Sequence, residues 1–144
     1  MRYLLDTCLV SELVKPRPDP SVIAWVGQQA ESQLFLSVLT LGELRKGIEG
    51  LEDGRKRIRL AQWLDGELRQ RFAGRLLAVE EDVAEQWGIV SARAKARGVA
   101  VPVVDGLIAA TALVHGLTVV TRNVPDIQST GAQVFNPWAP ERWC

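Results

Sequence analysis

The apolar residues of this chain alternate between short unbroken runs and helical spacing, and that change of period marks out the elements. Tyr3, Leu4 and Leu5 form a short run that reads as a buried strand. TCLVSELV (7–14) reads as a short helix, stopped by the proline-rich segment 16–20. DPSVIAWVGQQA (19–30) carries a helix start, with Asp19 or Ser21 as cap and Val22, Ile23, Trp25 and Val26 on the apolar side. QLFLS (33–37) is the next strand, and in VLTLGELRKGIEG (38–50) Leu41, Leu44 and Ile48 recur at helical spacing.

A long helix is predicted from about Glu52 to Phe72, with Ile58, Trp63 and Leu64 on one side and many arginines on the other. RLLAV (75–79) is a third strand. EEDVAEQWGIVSARAKARG (80–98) is an amphipathic helix stopped by Gly98. PVVDGLIAATALVHG (102–116) is apolar nearly all round and reads as a buried helix. LTVVT (117–121) is a β-branched strand, and AQVFN (132–136) a final edge strand. Strands alternating with helices predict an α/β fold with a mostly parallel central sheet flanked by helices.

Composition adds limits. A chain of 144 residues fits a single domain, 1–144, large enough to bury a core without disulfides or metals as staples. The formal net charge is zero, so binding to a polyanion would rest on local basic patches. Cys8 and Cys144 have no zinc-ligand spacing, which fits a reducing cytosol. No charged-then-apolar leader precedes Arg2, and no apolar run approaches the roughly 18 residues of a membrane span. A cytoplasmic protein with no membrane association is the expectation.

The acidic residues supply the chemistry. Ligands of open α/β sheets bind outside the carboxyl ends of the strands. Asp6 directly follows the first strand, Asn123 and Asp126 follow LTVVT, and Asp105 opens the buried helix that feeds it. Glu43 lies one to two turns into the helix after QLFLS. Carboxylates gathered there would raise one another's pKa unless a cation neutralised them. Oxygen donors with almost no histidine point to Mg²⁺ or Mn²⁺, ions suited to attack on phosphate esters.

LLDTCLVSEL near the start, LTLGELRKGI in the middle, PVVDGLIAATAL later and TVVTRNVPDI…VFNPW near the end together resemble the PIN-domain endoribonucleases. The likeness is to the toxins of type II toxin–antitoxin modules, the VapC group with its FitB-like branch. It implies a PIN fold, Mg²⁺- or Mn²⁺-dependent cleavage of RNA, a homodimer and inhibition by a cognate antitoxin. Asp6, Glu43 and Asp105 fall on the three acidic metal-site positions of that family. The fourth falls on or near Asn123, here an amide, with Asp126 three residues on as the other candidate. Thr7 matches a frequent hydroxyl beside the first aspartate. Cys8 stands where many relatives carry Ser or Asn. Thr7 and Arg122 are candidate substrate contacts.

Each residue also has a structural reading. Asp6 and Asp105 could be helix caps. Glu43 could be a solvated carboxylate paired with Lys46 or Arg45, and Asn123 and Asp126 could serve only to form a turn. Glu12, about two turns past Asp6, could support the site from behind, but reads rather as a solvated carboxylate or one salt-bridged to an arginine, and His115 reads as a helix C-terminal residue rather than part of a nucleophilic triad. Arg55–Arg59 and Arg69–Arg75 are candidate phosphate contacts or part of an antitoxin surface. Trp25, Trp63, Trp87, Trp138 and Trp143 read as core or dimer contacts. The rival functions are a DNA-directed nuclease on the same fold, or a non-catalytic PIN-like or receiver-like binding module.

Overall fold

The structure is a computed structural model in which residues 1–138 are described; Trp143 and Cys144 lie outside the described residues. Five strands form one sheet in the order β3-β2-β1-β4-β5: β1 (Tyr3–Leu5), β2 (Leu34–Ser37), β3 (Leu76–Leu77), β4 (Thr118–Val120) and β5 (Val134–Phe135). Every pairing is parallel, so the expected mostly parallel sheet is wholly so. Leu4 pairs with Phe35 on one side and Val119 on the other, which puts β1 at the centre.

Successive strand residues point to opposite faces, and the core divides accordingly. Leu5, Leu36 and Val120 pack with Leu9, Val22, Leu64 and Phe72 on one face. Leu4 and Val119 pack with Ile108, Ala109, Ala112 and Ile127 on the other. Burial on both faces explains why these strands read as unbroken apolar runs.

Helices α1 (Thr7–Leu13), α2 (Pro20–Gln28) and α3 (Val38–Glu49) match their sequence signals. Asp19 is the cap of α2, its Oδ1 accepting from the Ser21 N–H at 2.8 Å. Ser37 caps α3. The long helix begins at Arg55, later than expected. It runs as α4 (Arg55–Gln62), passes through a π-helical stretch (Trp63–Leu68) and ends as α5 (Arg69–Arg71). Then follow α6 (Glu81–Ala96), α7 (Val103–His115) and α8 (Val124–Gln128). Gly116 ends α7 at φ +67°, a left-handed cap that glycine adopts without a Cβ penalty.

Three apolar expectations change. Ile23 and Ile58 are exposed, at 44% and 58%. On the long helix Leu64 is buried as expected, joined by Leu68 and the following Phe72 rather than by Ile58. Helix α7 is not buried all round, for Val103 and Leu113 face outward while Ile108, Ala109 and Ala112 meet the sheet. The RNVPD segment, expected as a turn, forms α8. Among the described residues no helix is long and apolar enough to cross a membrane.

Candidate active site

The strand ladder continues one residue beyond the strands and sets the site. The Asp6 N–H donates to the Val120 carbonyl at 3.0 Å, and the Thr121 N–H to the Phe135 carbonyl at 3.0 Å. Asp6 and Thr121 are therefore neighbours at the carboxyl end of the central strands. The Thr121 hydroxyl, fully buried, donates to Asp6 Oδ2 at 2.8 Å and accepts the Asn123 N–H at 3.0 Å. Asp6 Oδ1 accepts the Thr7 N–H at 2.8 Å. Asp6 is thus buried, caps α1 and faces the site at once, so its structural and chemical readings coincide.

Glu43 reaches the same edge from α3. Its Oε1 accepts from the Thr7 hydroxyl at 2.5 Å, rather than pairing with Lys46 or Arg45; Arg45 pairs with Asp65. Asp6, Thr7, Cys8, Glu43, Arg122 and Asn123 line one open cavity of about 590 Å³. Asp105 projects from the first turn of α7 and Asp126 from the first turn of α8. The Asn123 amide nitrogen lies 2.8 Å from Asp126 Oδ2 and 3.4 Å from Asp105 Oδ2. In this arrangement Asn123 ties two carboxylates together as a donor.

Charge confirms that these groups feel one another. Burial, and then the negative charges of Asp6, Asp126 and Glu43, push the Asp105 carboxyl up to about 6. Cys8 is half-buried. Burial and then the Asp6 charge push its thiol up, so it stays protonated beside Thr121 rather than acting as a soft anionic ligand. Among the described residues no three or more Asp, Glu, His or Cys side chains are grouped closely enough to hold a metal ion. Asp6 and Glu43 line the cavity, and Asp105 and Asp126 are linked to it through Asn123. Hard oxygen donors in mutual repulsion are the chemistry that fits a divalent cation such as Mg²⁺ or Mn²⁺.

Behind this edge lies Glu12, which is 5% exposed rather than solvated and whose salt bridge is with Lys15 rather than an arginine. Its carboxylate accepts from Lys15 at 3.1 Å, from the Trp138 indole N–H at 3.2 Å and from the Asp19 N–H at 3.2 Å. Burial alone would raise its pKa, but the hydrogen bonds from Lys15, Trp138 and Asp19 hold it below the ordinary carboxylate value. Trp138 is a core residue, as expected, and Arg122 lies over its ring with Cζ 4.8 Å from the centroid. Thr121 was also missed, although its place at the end of LTVVT matched that of Asp6 after β1.

The basic runs are partly committed to structure. Arg71 and Arg75 grip Glu31, and Arg75 also donates to the Leu34 carbonyl at 2.6 Å. Arg57 pairs with Glu49 and Asp53. Lys56 and Arg59 line a second cavity of about 420 Å³ between α1, α3 and α4, whose lining also includes Leu44, Ile48, Leu60, Trp63, Thr7 and Glu43. His115 is the last residue of α7, its carbonyl accepting from Arg2 at 2.6 Å.

Comparison with known proteins matches this architecture. The PIN domain family model matches residues 3–124. The chain is 38% identical over 137 residues to VapC ribonuclease Y4jK of Sinorhizobium fredii, covering 95% of this chain and 98% of that protein. It is 38% identical over 135 residues to Toxin FitB of Neisseria gonorrhoeae, covering 94% and 97%. A solved structure of FitAB bound to an IR36 DNA fragment holds a chain that superposes with a TM-score of 0.90 at 36% identity, over 97% of this chain and 98% of that one. With 122 of its residues inside the family match and two relatives aligned over nearly its whole length, this chain belongs to the PIN-domain family, beside VapC ribonucleases and the FitB toxin.

Proposed function

We propose that the protein is the endoribonuclease toxin of a type II toxin–antitoxin module and cleaves RNA phosphodiesters in a divalent-metal-dependent reaction. The observation that carries this reading is the convergence of Asp6, Glu43, Asp105 and Asp126 from four separate elements, where burial and then the charges of the other three push the Asp105 carboxyl up to about 6. Asp6, Glu43 and Asp105, helped by Asp126, would hold Mg²⁺ or Mn²⁺. The bound ion would supply a hydroxide nucleophile and offset charge on the attacked phosphate.

The chain's own residues prepare that chemistry. Thr121 and the Thr7 N–H fix both oxygens of Asp6. The Thr7 hydroxyl fixes Glu43, and Asn123 ties Asp105 to Asp126. Above pH ~6 Asp105 is ionised and ready to bind a cation. Arg122, lining the same cavity, is placed to donate to a phosphate oxygen of the RNA. Single-stranded or looped RNA is the favoured substrate, because A-form duplex hides its base edges.

The apolar cavity between α1, α3 and α4 shares Thr7 and Glu43 with the acidic cavity, which supports docking of an antitoxin segment there. A homodimer accords with the exposed apolar residues Ile89, Val103 and Leu113 on α6 and α7. The test is a cleavage assay on a mixed structured-RNA pool with Mg²⁺ or Mn²⁺, with EDTA, and with Asp6→Asn and Asp105→Asn. Discrete fragments that need the metal and fall by about 10³-fold in both variants are expected. Cleavage that survives both substitutions would place the activity elsewhere.

A further inference from the structure

We infer that Trp138 is a positioning residue, clamped by buried Glu12, which holds the Arg122 guanidinium at the rim of the acidic cavity ready for the scissile phosphate. The inference rests on the ribonuclease reading above and adds to it a residue far from the acidic set in sequence. Arg122 is exposed and lines a cavity together with Asp6 and Glu43. A guanidinium so placed would ordinarily fold onto a carboxylate. Among the described residues it forms no ion pair.

Arg122 instead lies over the Trp138 ring, Cζ 4.8 Å from its centroid. A guanidinium held by its face keeps its in-plane N–H donors available for a phosphate. The ring is itself immobilised. Trp138 is 7% exposed and packs in the core cluster with Leu9 and Val10 of α1. Its indole N–H donates to Glu12 Oε1 at 3.2 Å, and Glu12 is in turn anchored by Lys15 and the Asp19 N–H. An otherwise mobile arginine therefore meets its phosphate with much of its rotamer freedom already lost, which favours the reacting geometry rather than simple binding.

The test measures kcat and KM separately on an RNA cut in the pool assay, for Arg122→Ala, Trp138→Met, Trp138→Phe and the Arg122→Ala/Trp138→Met double variant. Methionine keeps most of the volume without an aromatic face, and phenylalanine restores a face without the indole N–H. Arg122→Ala is expected to lower kcat about 10²-fold. Trp138→Met is expected to lower kcat about tenfold with KM within about twofold, and Trp138→Phe to recover most of the loss. The double variant is expected to be no slower than Arg122→Ala, because the ring acts through the arginine.

Losses that multiply in the double variant would overturn the inference, as would an Arg122→Ala enzyme within about twofold of the parent. Should Trp138→Met fail to fold, binding of a short oligouridylate in EDTA decides. A log K against log salt slope shallower by about 0.7 for Arg122→Ala supports the phosphate contact, and an unchanged slope overturns it. Cleavage that persists in Asp6→Asn would overturn the ribonuclease reading itself. Cleavage that needs Asp6 but ignores Arg122 and Trp138 would overturn this inference alone.

Discussion

Helix α1 separates two carboxylate environments that differ in kind. At its end, Glu12 is buried yet met by an ammonium, an indole N–H and a backbone N–H, and its acidity is strengthened. At its start, Asp6 faces a cavity shared with Glu43, and burial followed by the charges of Asp6, Asp126 and Glu43 weakens the Asp105 carboxyl. Glu12 brings its own donors and is complete within the fold. The outer cluster is short of positive charge, and under the proposed function a divalent cation would meet it.

The comparison breaks most readily at Glu12. Glu12→Ala strands the indole N–H and the Asp19 N–H in a buried position, and should lower unfolding free energy by about 2–3 kcal/mol in urea denaturation. A loss near zero would mean that the cluster is not the anchor described. Next comes Thr121→Val, which removes a buried donor to Asp6 and an acceptor for the Asn123 N–H. It should cost about 1–2 kcal/mol and slow RNA cleavage, since Asp6 loses the hydroxyl that holds its Oδ2.

Asp105→Asn should act in the opposite direction. The unfolded carboxyl releases its proton near 3.8, while the folded one keeps it until about 6. The native state therefore binds more protons in that window, and stability falls as pH rises through it and stays lower above. Without divalent cations the variant should be more stable than the parent at pH 8, by about 1 kcal/mol after allowance for solvent screening. The advantage should shrink as pH drops below 6, and added Mg²⁺ or Mn²⁺ should raise the Tm of the parent alone. A variant less stable than the parent at pH 8 would contradict the crowding of these acids. The smallest change is Gly106→Ala. A Cβ there would meet the Trp87 ring at 3.1 Å, pushing on the turn of α7 that carries Asp105, at a cost of about 1 kcal/mol by thermal denaturation.

Much of this molecule was legible in its residues. The runs YLL, LFLS and TVV became central strands because parallel strands buried on both faces need no polar alternation. Asp6 could be placed because it follows such a run and the carboxyl ends of parallel strands lie on one edge. The misreadings share a cause. Ile58 fits a helical stripe, but the π-helical stretch after Gln62 shifts the register, and Leu64 and Leu68 take the buried face. Glu12 looked solvated because its local neighbours are unremarkable; its indole partner is 126 positions away.

The chain itself determined the order of its elements, the helix start at Asp19 or Ser21, and the set of acids able to reach one edge, because periodicity and capping are local properties read over a few residues. Only the tertiary structure decided that Thr121 would hold Asp6, that Asn123 would turn its amide to Asp105 and Asp126, and that Trp138 would carry Arg122. These contacts join residues brought together by strand pairing and core packing. No local pattern encodes such a meeting, since its geometry exists only once the sheet has closed and the helices have packed against it.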